Sequence, residues 1–142
     1  MRYATTTIKM RMRFAVVPLI LTALLVSGCS NGDADPLTEL LESEPDAADA
    51  APQGVGKTDI VEDTIRKVGE DANSYEYFVG TNDSGKPCLL VYASSQDWGS
   101  SCGEAGGFSV SVANVVAWLS TNEFQDYTAS ENIEGVVYVW NS

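Results

Sequence analysis

The side chains of this sequence that could do chemistry are carboxylates, three cysteines and a set of aromatic rings, because histidine is absent. Without histidine the chain cannot form a Ser–His–Asp triad, a Cys–His nucleophile or the usual zinc sites. The stretch GVGKT at residues 54–58 contains part of a phosphate-binding loop, but it lacks the first glycine and follows no strand. No catalytic motif is recognisable.

Paired carboxylates are the remaining route to acid–base catalysis or to an oxygen-only calcium site. Three such pairs occur, at Glu62/Asp63, Glu70/Asp71 and Glu131/Glu134. Solvated surface acids account for them, so we predict a protein that is not an enzyme and has no metal site or cofactor. The alternative is a carboxylate-dependent hydrolase of cell-wall material, which requires a buried acid beside a second carboxylate in a cleft.

Aromatic residues offer a stacking surface for a sugar or a partner protein. Four of them alternate along two predicted strands and could line a strand face, namely Tyr75, Tyr77, Tyr138 and Trp140. Tyr92 could join this face. Trp98 lies between two cysteines and could either be an exposed contact or fold over the bridge that joins them. Core packing is the alternative role for the whole set.

The N-terminus has the pattern of an export signal. Residues 1–13 carry four basic side chains, and residues 14–26 form an apolar run of 13 residues. A bilayer core about 30 Å thick needs roughly 20 apolar residues, so this run is too short to span it and fits a signal peptide.

The run ends in Val26-Ser27-Gly28-Cys29, which resembles the lipobox of bacterial lipoproteins. The resemblance covers residues 1–29 and implies cleavage before Cys29 and diacylation of its sulfur. It places the mature protein on the extracytoplasmic face of the cell membrane. The alternative is an ordinary secretory signal in which the cysteine is coincidental.

With Cys29 assigned to the lipid, Cys88 and Cys102 remain as an even pair in an oxidising compartment, where we expect them to form a disulfide. The bridge would close a loop of 15 residues, which corresponds to about 3 kcal/mol of stabilisation. Two free buried thiols are the alternative.

The segment after the signal peptide is strongly acidic. Residues 29–142 hold four basic residues and all 20 acidic ones, which gives a formal net charge of −16. This charge argues against nucleic-acid binding, because phosphate contacts need clustered Lys and Arg. Anionic headgroups would also repel the domain, so the membrane attachment must be covalent.

Residues 29–56 are predicted to be the lipidated cysteine and a flexible tether, because residues 30–56 contain seven acids and no base. As a coil, this tether would reach about 30 Å root-mean-square. Within it, Pro36 could begin a short helix with Leu37, Leu40 and Leu41 on one side. We favour a transient helix in a spacer; the alternative is a turn docked on the domain.

Residues 57–142 are predicted to be a small α+β domain. Thr58–Val68 has apolar residues at helical spacing behind a threonine cap, which predicts an amphipathic helix. Residues 75–79 and 87–92 flank a turn-rich segment and predict a hairpin, followed by a loop over residues 97–101.

Further strands are predicted over residues 108–112 and 135–140, with a polar loop over residues 121–134 between them. Residues 113–119 fit either a helix or a continuation of the preceding strand, and we favour the strand. The fold class is thus one N-terminal amphipathic helix packed on a small, mainly antiparallel sheet of about four strands, stapled by one disulfide.

Residues 85–90, together with Ser101-Cys102, are similar to small exported proteins of high-GC Gram-positive bacteria, a resemblance that carries no activity with it. We therefore predict a membrane-anchored, non-enzymatic module that contacts an envelope protein or a glycan. The alternatives are the carboxylate-dependent hydrolase and a purely structural envelope protein.

The disulfide gives the first testable prediction. Cys88→Ser should lower the free energy of unfolding by roughly 2–5 kcal/mol, because the unfolded chain regains the entropy of the open loop. Urea unfolding measures this change. Thiol labelling of the purified native domain is the control, and two reactive thiols would show that the bridge does not form.

Overall fold

The computed structural model describes residues 35–104, 107–120 and 129–141. The chain divides into two units, residues 1–30 and residues 31–142, and every described residue belongs to the second. The predicted signal peptide and lipobox, including Cys29, lie outside the described residues. Within the described part, no helix is long and apolar enough to cross a bilayer.

The described chain is mostly β-strand. It contains one α-helix, α1 (Pro36–Glu42), and two short 3₁₀ turns, Ala47–Asp49 and Glu62–Thr64. Its eight strands are β1 (Arg66–Glu70), β2 (Glu76–Thr81), β3 (Pro87–Tyr92), β4 (Trp98–Cys102), β5 (Phe108–Val112), β6 (Val115–Leu119), β7 (Glu131–Ile133) and β8 (Val137–Asn141).

The first sheet is an antiparallel meander in the order β1-β2-β3-β4. The predicted hairpin is confirmed, since β2 and β3 pair from Glu76 opposite Tyr92 to Thr81 opposite Pro87. Its turn is closed by the Asn82 side chain, which accepts hydrogen bonds from the backbone N–H groups of Ser84 and Lys86, both at 3.0 Å.

The predicted disulfide is also confirmed. Cys88 and Cys102 lie directly opposite each other on β3 and β4, and their sulfur atoms are bonded. The loop predicted over residues 97–101 is wrong, because residues from Trp98 onward form β4. The bridge and the pairing with β3 hold this Ser- and Gly-rich segment in a strand that its composition does not favour.

The second sheet has the order β5-β6-β8-β7, again antiparallel throughout. The strands predicted over residues 108–112 and 135–140 are confirmed as β5 and β8. Residues 115–119 form a strand as favoured, but β6 does not continue β5. A tight turn at Ala113 and Asn114, with Ala113 at φ 49°, reverses the chain. Part of the predicted 121–134 loop, residues 131–133, pairs with β8 as β7.

The two sheets pack face to face around the main hydrophobic core. Alternate residues of each strand point into it, and they include Tyr77, Val79, Leu89 and Val91 from the first sheet and Val110, Val115, Ala117, Leu119, Val137 and Val139 from the second. All of these side chains are buried. Period-two alternation therefore determines which residues of the strands fill the core.

The sheets approach each other along two seams, where β4 lies beside β5 and β1 beside β7. A glycine stands at each seam. A Cβ atom at Gly99 would lie 3.0 Å from a Val112 methyl, and one at Gly69 would lie 2.7 Å from an Ile133 methyl. The missing side chains let the strands come this close.

The predicted helix Thr58–Val68 is wrong. Its apolar residues serve two different faces of the first sheet: Ile60 and Ile65 pack on the outer face, whereas Val68 points into the core between the sheets. A helix would put all of them on one stripe. Instead, Thr64 bonds through its hydroxyl to the N–H of Thr81 at 2.9 Å, and Arg66 begins β1.

The segment from residue 36 to residue 65 packs against the sheets. Leu37 of α1 is buried in the main core, and Leu40 and Leu41 pack against it. Of the two alternatives for these leucines, the structure shows the docked turn. The predicted division into residues 1–28, 29–56 and 57–142 stays a prediction, but residues of the predicted tether thus belong to the hydrophobic core.

The Arg66 side chain fastens this segment to β1. Its guanidinium is buried and donates two hydrogen bonds to the carbonyl oxygen of Ser43, at 3.1 and 2.8 Å, and others to the carbonyl oxygens of Asp63 and Ile65. The backbone N–H of Lys67 adds a bond of 2.7 Å to the Asp49 carboxylate. A buried charge is tolerated here because four of its five N–H donors are hydrogen-bonded.

We expect Arg66→Met to lower the free energy of unfolding by roughly 1–3 kcal/mol, because the carbonyl oxygens that it bonds lose their charged donor. Chemical denaturation of the domain measures this change. Lys57→Met is the matched control, since Lys57 is exposed and its loss should change stability by less than about 0.5 kcal/mol. Equal stabilities for the two variants would contradict the assignment.

Candidate functional site

The outer face of the second sheet carries a cluster of aromatic side chains. On β6, Val116 and Trp118 point away from the core, and on β8 Tyr138 and Trp140 do the same. The strand register places Trp118 directly opposite Tyr138 and Val116 directly opposite Trp140. We call these four residues the aromatic face.

This orientation follows from alternation along the strands. The residues between them, Ala117 on β6 and Val139 on β8, are fully buried in the core. The next side chains must therefore face outward. Val116 is 38% exposed, more than any other large hydrophobic residue in the described part of the chain, and the three rings are half-buried.

Small polar residues flank the aromatic face on both neighbouring strands. Ser109 on β5 pairs with Trp118, and Ser111 pairs with Val116. On the other side, Asn132 of β7 pairs with Tyr138. All three flanking residues are exposed. The result is a row of rings bordered by hydroxyl and amide groups, which suits flat contacts combined with hydrogen bonds.

Two of the five predicted binding residues, Tyr138 and Trp140, lie together on this face. Sequence reasoning missed Trp118 and Val116, because the strand over residues 113–119 was ambiguous and its outward residues could not be identified. The signal that could have found Trp118 is the alternation of Val115, Ala117 and Leu119, once a turn at residues 113 and 114 is recognised.

Tyr77 does not belong to any exposed surface, because it is fully buried in the main core. Its hydroxyl donates a 2.9 Å hydrogen bond to the buried carboxylate of Asp71. Tyr75 is partly buried against the same core, and its hydroxyl is 3.0 Å from the Asn114 side-chain oxygen. The structure therefore does not bring the two tyrosines together with Tyr138 and Trp140 on one surface.

Trp98 and Tyr92 face each other on the outer side of the first sheet, where both are half-buried. Residues 51–56 cover them in part. The Tyr92 hydroxyl donates to the carbonyl oxygen of Gln53 at 3.1 Å, and a Cβ atom at Gly56 would lie 3.2 Å from the Trp98 ring. Trp98 thus packs, together with Tyr92, against the segment that covers the outer face of the first sheet.

The buried acidic residue Asp71 makes contacts that hold the fold together. The Asp71 carboxylate accepts hydrogen bonds of 2.9 Å from the backbone N–H groups of Asn73 and Tyr75 as well as from Tyr77. These bonds close the turn between β1 and β2. Nearby, Glu131 accepts from the N–H of Ala72 at 3.3 Å. Within the described residues, no three Asp, Glu or Cys side chains converge to hold a metal ion.

The basic side chains are mostly occupied by intramolecular contacts. Lys67 pairs with Glu76, and Lys86 pairs with Glu104, while Arg66 bonds to carbonyl oxygens. The acids greatly outnumber the bases, so the electrostatic potential of the domain is negative. A ligand that carries phosphate or carboxylate groups would be repelled.

Comparison with protein-family models, with curated proteins and with solved structures finds no match to this chain.

Burial raises the pKa of Tyr77 above its ordinary value, and its hydrogen bond to Asp71 raises it further. In the unfolded chain the phenol loses its proton near pH 10, whereas the folded protein keeps it. The contribution of the Tyr77 hydroxyl to the free energy of unfolding is therefore fully present below pH 10 and is lost as the pH rises above it. We expect the unfolding free energy to fall there by up to about 1.4 kcal/mol per pH unit.

Urea unfolding between pH 9 and pH 11.5 measures this slope. Tyr77→Phe is the control, because it keeps the ring and removes the titrating hydroxyl. An equal slope for the wild type and the variant would show that the Tyr77 proton does not contribute.

Proposed function

We propose that this protein is a lipoprotein held by Cys29 on the extracytoplasmic face of the cell membrane, and that it acts by binding rather than by catalysis. Its partner is an uncharged glycan or a protein of the envelope, and the contact surface is the aromatic face. The observation that carries this proposal is the side-by-side arrangement of Trp118, Tyr138 and Trp140 outside the core.

The anchoring part of the proposal depends on the N-terminal sequence. A basic segment, an apolar run too short to span a bilayer and a lipobox follow one another before Cys29. The bond between Cys88 and Cys102 supports export, because disulfides persist in oxidising compartments. It also leaves Cys29 as the one cysteine outside the bridge.

The binding part depends on exposure and charge. Aromatic rings that face outward lower the solubility of a protein, so a surface with no binding role gains nothing from them. Aromatic residues are also enriched where proteins make contacts. The excess of acids makes anionic polymers poor partners. The Asp71 carboxylate, whose oxygens already accept three hydrogen bonds, supports a structural role for the buried acid.

The test is photo-crosslinking in cells from a crosslinking amino acid placed at Val116, with mass spectrometry of the products. We expect products from this position, because it is the most exposed apolar point of the aromatic face. The matched control places the same group at Gln96, an exposed residue in the turn between β3 and β4, where we expect none.

Trp140→Ala should reduce the Val116 products by roughly tenfold, which corresponds to about 1.4 kcal/mol of lost contact energy. Cys29→Ser should remove the products from the membrane fraction. Equal products from Val116 and Gln96 would refute binding at this face and would favour a purely structural envelope protein.

A further inference from the structure

The aromatic face is uncharged although the chain is rich in acids. Among the residues that the structure describes, the outward positions of the second sheet hold Ser, Asn, Val, Tyr and Trp, and none holds Asp, Glu, Lys or Arg. Glu131 of β7 takes the opposite phase of the alternation, because it pairs with the buried Val139. Its carboxylate accepts from the N–H of Ala72, between β1 and β2. The ligand that fits this face is therefore a neutral one.

Hydrogen-bonding groups lie at both ends of a line that crosses the strands of this sheet. The strand register puts four outward residues side by side in this line, namely Ser109 on β5, Trp118 on β6, Tyr138 on β8 and Asn132 on β7. We call these four residues the cross-strand row. Neighbouring strands lie about 4.8 Å apart, so the row is roughly 14 Å long. Its two aromatic residues lie in the middle, with a polar side chain at either end.

Two members of the cross-strand row are held in place by contacts with turns. The side-chain oxygen of Asn132 accepts a 2.8 Å hydrogen bond from the N–H of Gly135, which leaves the amide NH₂ group as the end that can donate to a ligand. The indole of Trp118 packs on Gly107, where a Cβ atom would lie 2.6 Å from Nε1. Side chains that are already fixed lose little conformational entropy when a ligand binds.

The size of the aromatic face and its polar neighbours favours a small ligand over a protein. Four strands about 4.8 Å apart, with up to two outward residues on each at about 6.8 Å along the strand, cover roughly 250 Å². A stable protein–protein interface covers about 800 Å² on each partner. The part of the face that the structure describes is far smaller than that and matches a short oligosaccharide.

We propose that the cross-strand row binds a neutral, linear, β-linked glycan that lies across the strands. This inference rests on the proposed function, because it takes the aromatic face as the contact surface. One sugar ring of such a glycan is about as long as the spacing between strands, so the row takes about four sugar units. A glycan with equatorial linkages is extended and flat, which suits the surface of a sheet.

Each part of the cross-strand row has its own contact with the glycan. The rings of Trp118 and Tyr138 contact the apolar C–H faces of the inner sugar units. The Ser109 hydroxyl and the Asn132 amide are exposed, and they hydrogen-bond to hydroxyl groups of the outer units. A neutral polyhydroxylated chain is not repelled by the acidic domain, in contrast to a phosphate-bearing or carboxylate-bearing polymer.

Isothermal titration calorimetry tests this proposal. The full-length protein, purified in a detergent without sugar groups, is titrated with four neutral β-linked hexasaccharides: cellohexaose, mannohexaose, xylohexaose and chitohexaose. We expect binding to at least one of them. Absence of binding to all four overturns the inference.

Shorter forms of the hexasaccharide that binds measure the length of the site. We expect the affinity to rise roughly tenfold from the disaccharide to the tetrasaccharide, because the contacts at the two ends of the row are added. Between the tetrasaccharide and the hexasaccharide it should change by less than about twofold, since the row has no further members. Equal affinities for the disaccharide and the hexasaccharide overturn the placement across the strands.

A variant at one end of the row provides the second measurement. Asn132→Asp replaces the NH₂ donor by a negative charge and keeps the side-chain oxygen that accepts from Gly135, so we expect roughly fivefold weaker binding of the tetrasaccharide. Gln96→Glu is the matched control, because it makes the same amide-to-carboxylate change at an exposed residue between β3 and β4 and should leave the affinity unchanged. Equal affinities for the two variants overturn the inference.

Photo-crosslinking from Val116 separates failure of this inference from failure of the proposed function. A protein product at Val116, together with no binding to any of the four hexasaccharides, leaves the binding role in place and overturns the glycan alone. If Val116 gives no product and no hexasaccharide binds, the proposed function fails as well.

Discussion

The buried guanidinium of Arg66 is the interaction on which much of this small domain depends. The guanidinium bonds to the carbonyl oxygen of Ser43, near the start of the segment that covers the first sheet, and to those of Asp63 and Ile65 at its end. A second apolar cluster lies between this segment and the first sheet: the segment contributes Ile60 and Ile65, and β2 contributes Phe78. Without a fixed position for the segment, this cluster would face water. A lysine could not replace the arginine, because its single ammonium lacks the forked geometry that reaches several carbonyl groups.

Strands in which apolar and polar residues alternate could be predicted from the sequence. Elements that form only by pairing with residues far away in the sequence could not. The hairpin of β2 and β3 and the disulfide follow from local pattern and from the cysteine count. The segment Thr58–Val68 has helical spacing, but its residues divide between two faces because β1 pairs with β2, and no local signal reports that pairing. Likewise, β4 has a loop-like composition, and the bridge from Cys102 to β3 holds it in the sheet.

The same limit applies to the candidate site. Tyr138 and Trp140 could be named because GVVYVW is a clear strand, and alternation puts both on one side. Nothing in the sequence says which side faces water, so the same alternation groups Tyr77, on an equally clear strand, with them, although Tyr77 fills the core. Its hydroxyl is accommodated there because it donates a hydrogen bond to the carboxylate of Asp71, six residues earlier in the chain. The way in which the two sheets stack decides which face of each strand is buried, and this stacking is a property of the whole fold.

The two seams have a consequence for the behaviour of the protein at high local concentration. Each edge strand of the two sheets has one side whose backbone N–H and C=O groups are not paired within its own sheet. Such groups can pair with another chain and start aggregation. Here β4 lies beside β5 and β1 beside β7, and the glycines at these places let the margins approach closely. Each margin is thereby shielded by the other sheet. Many copies could then crowd one surface without joining edge to edge.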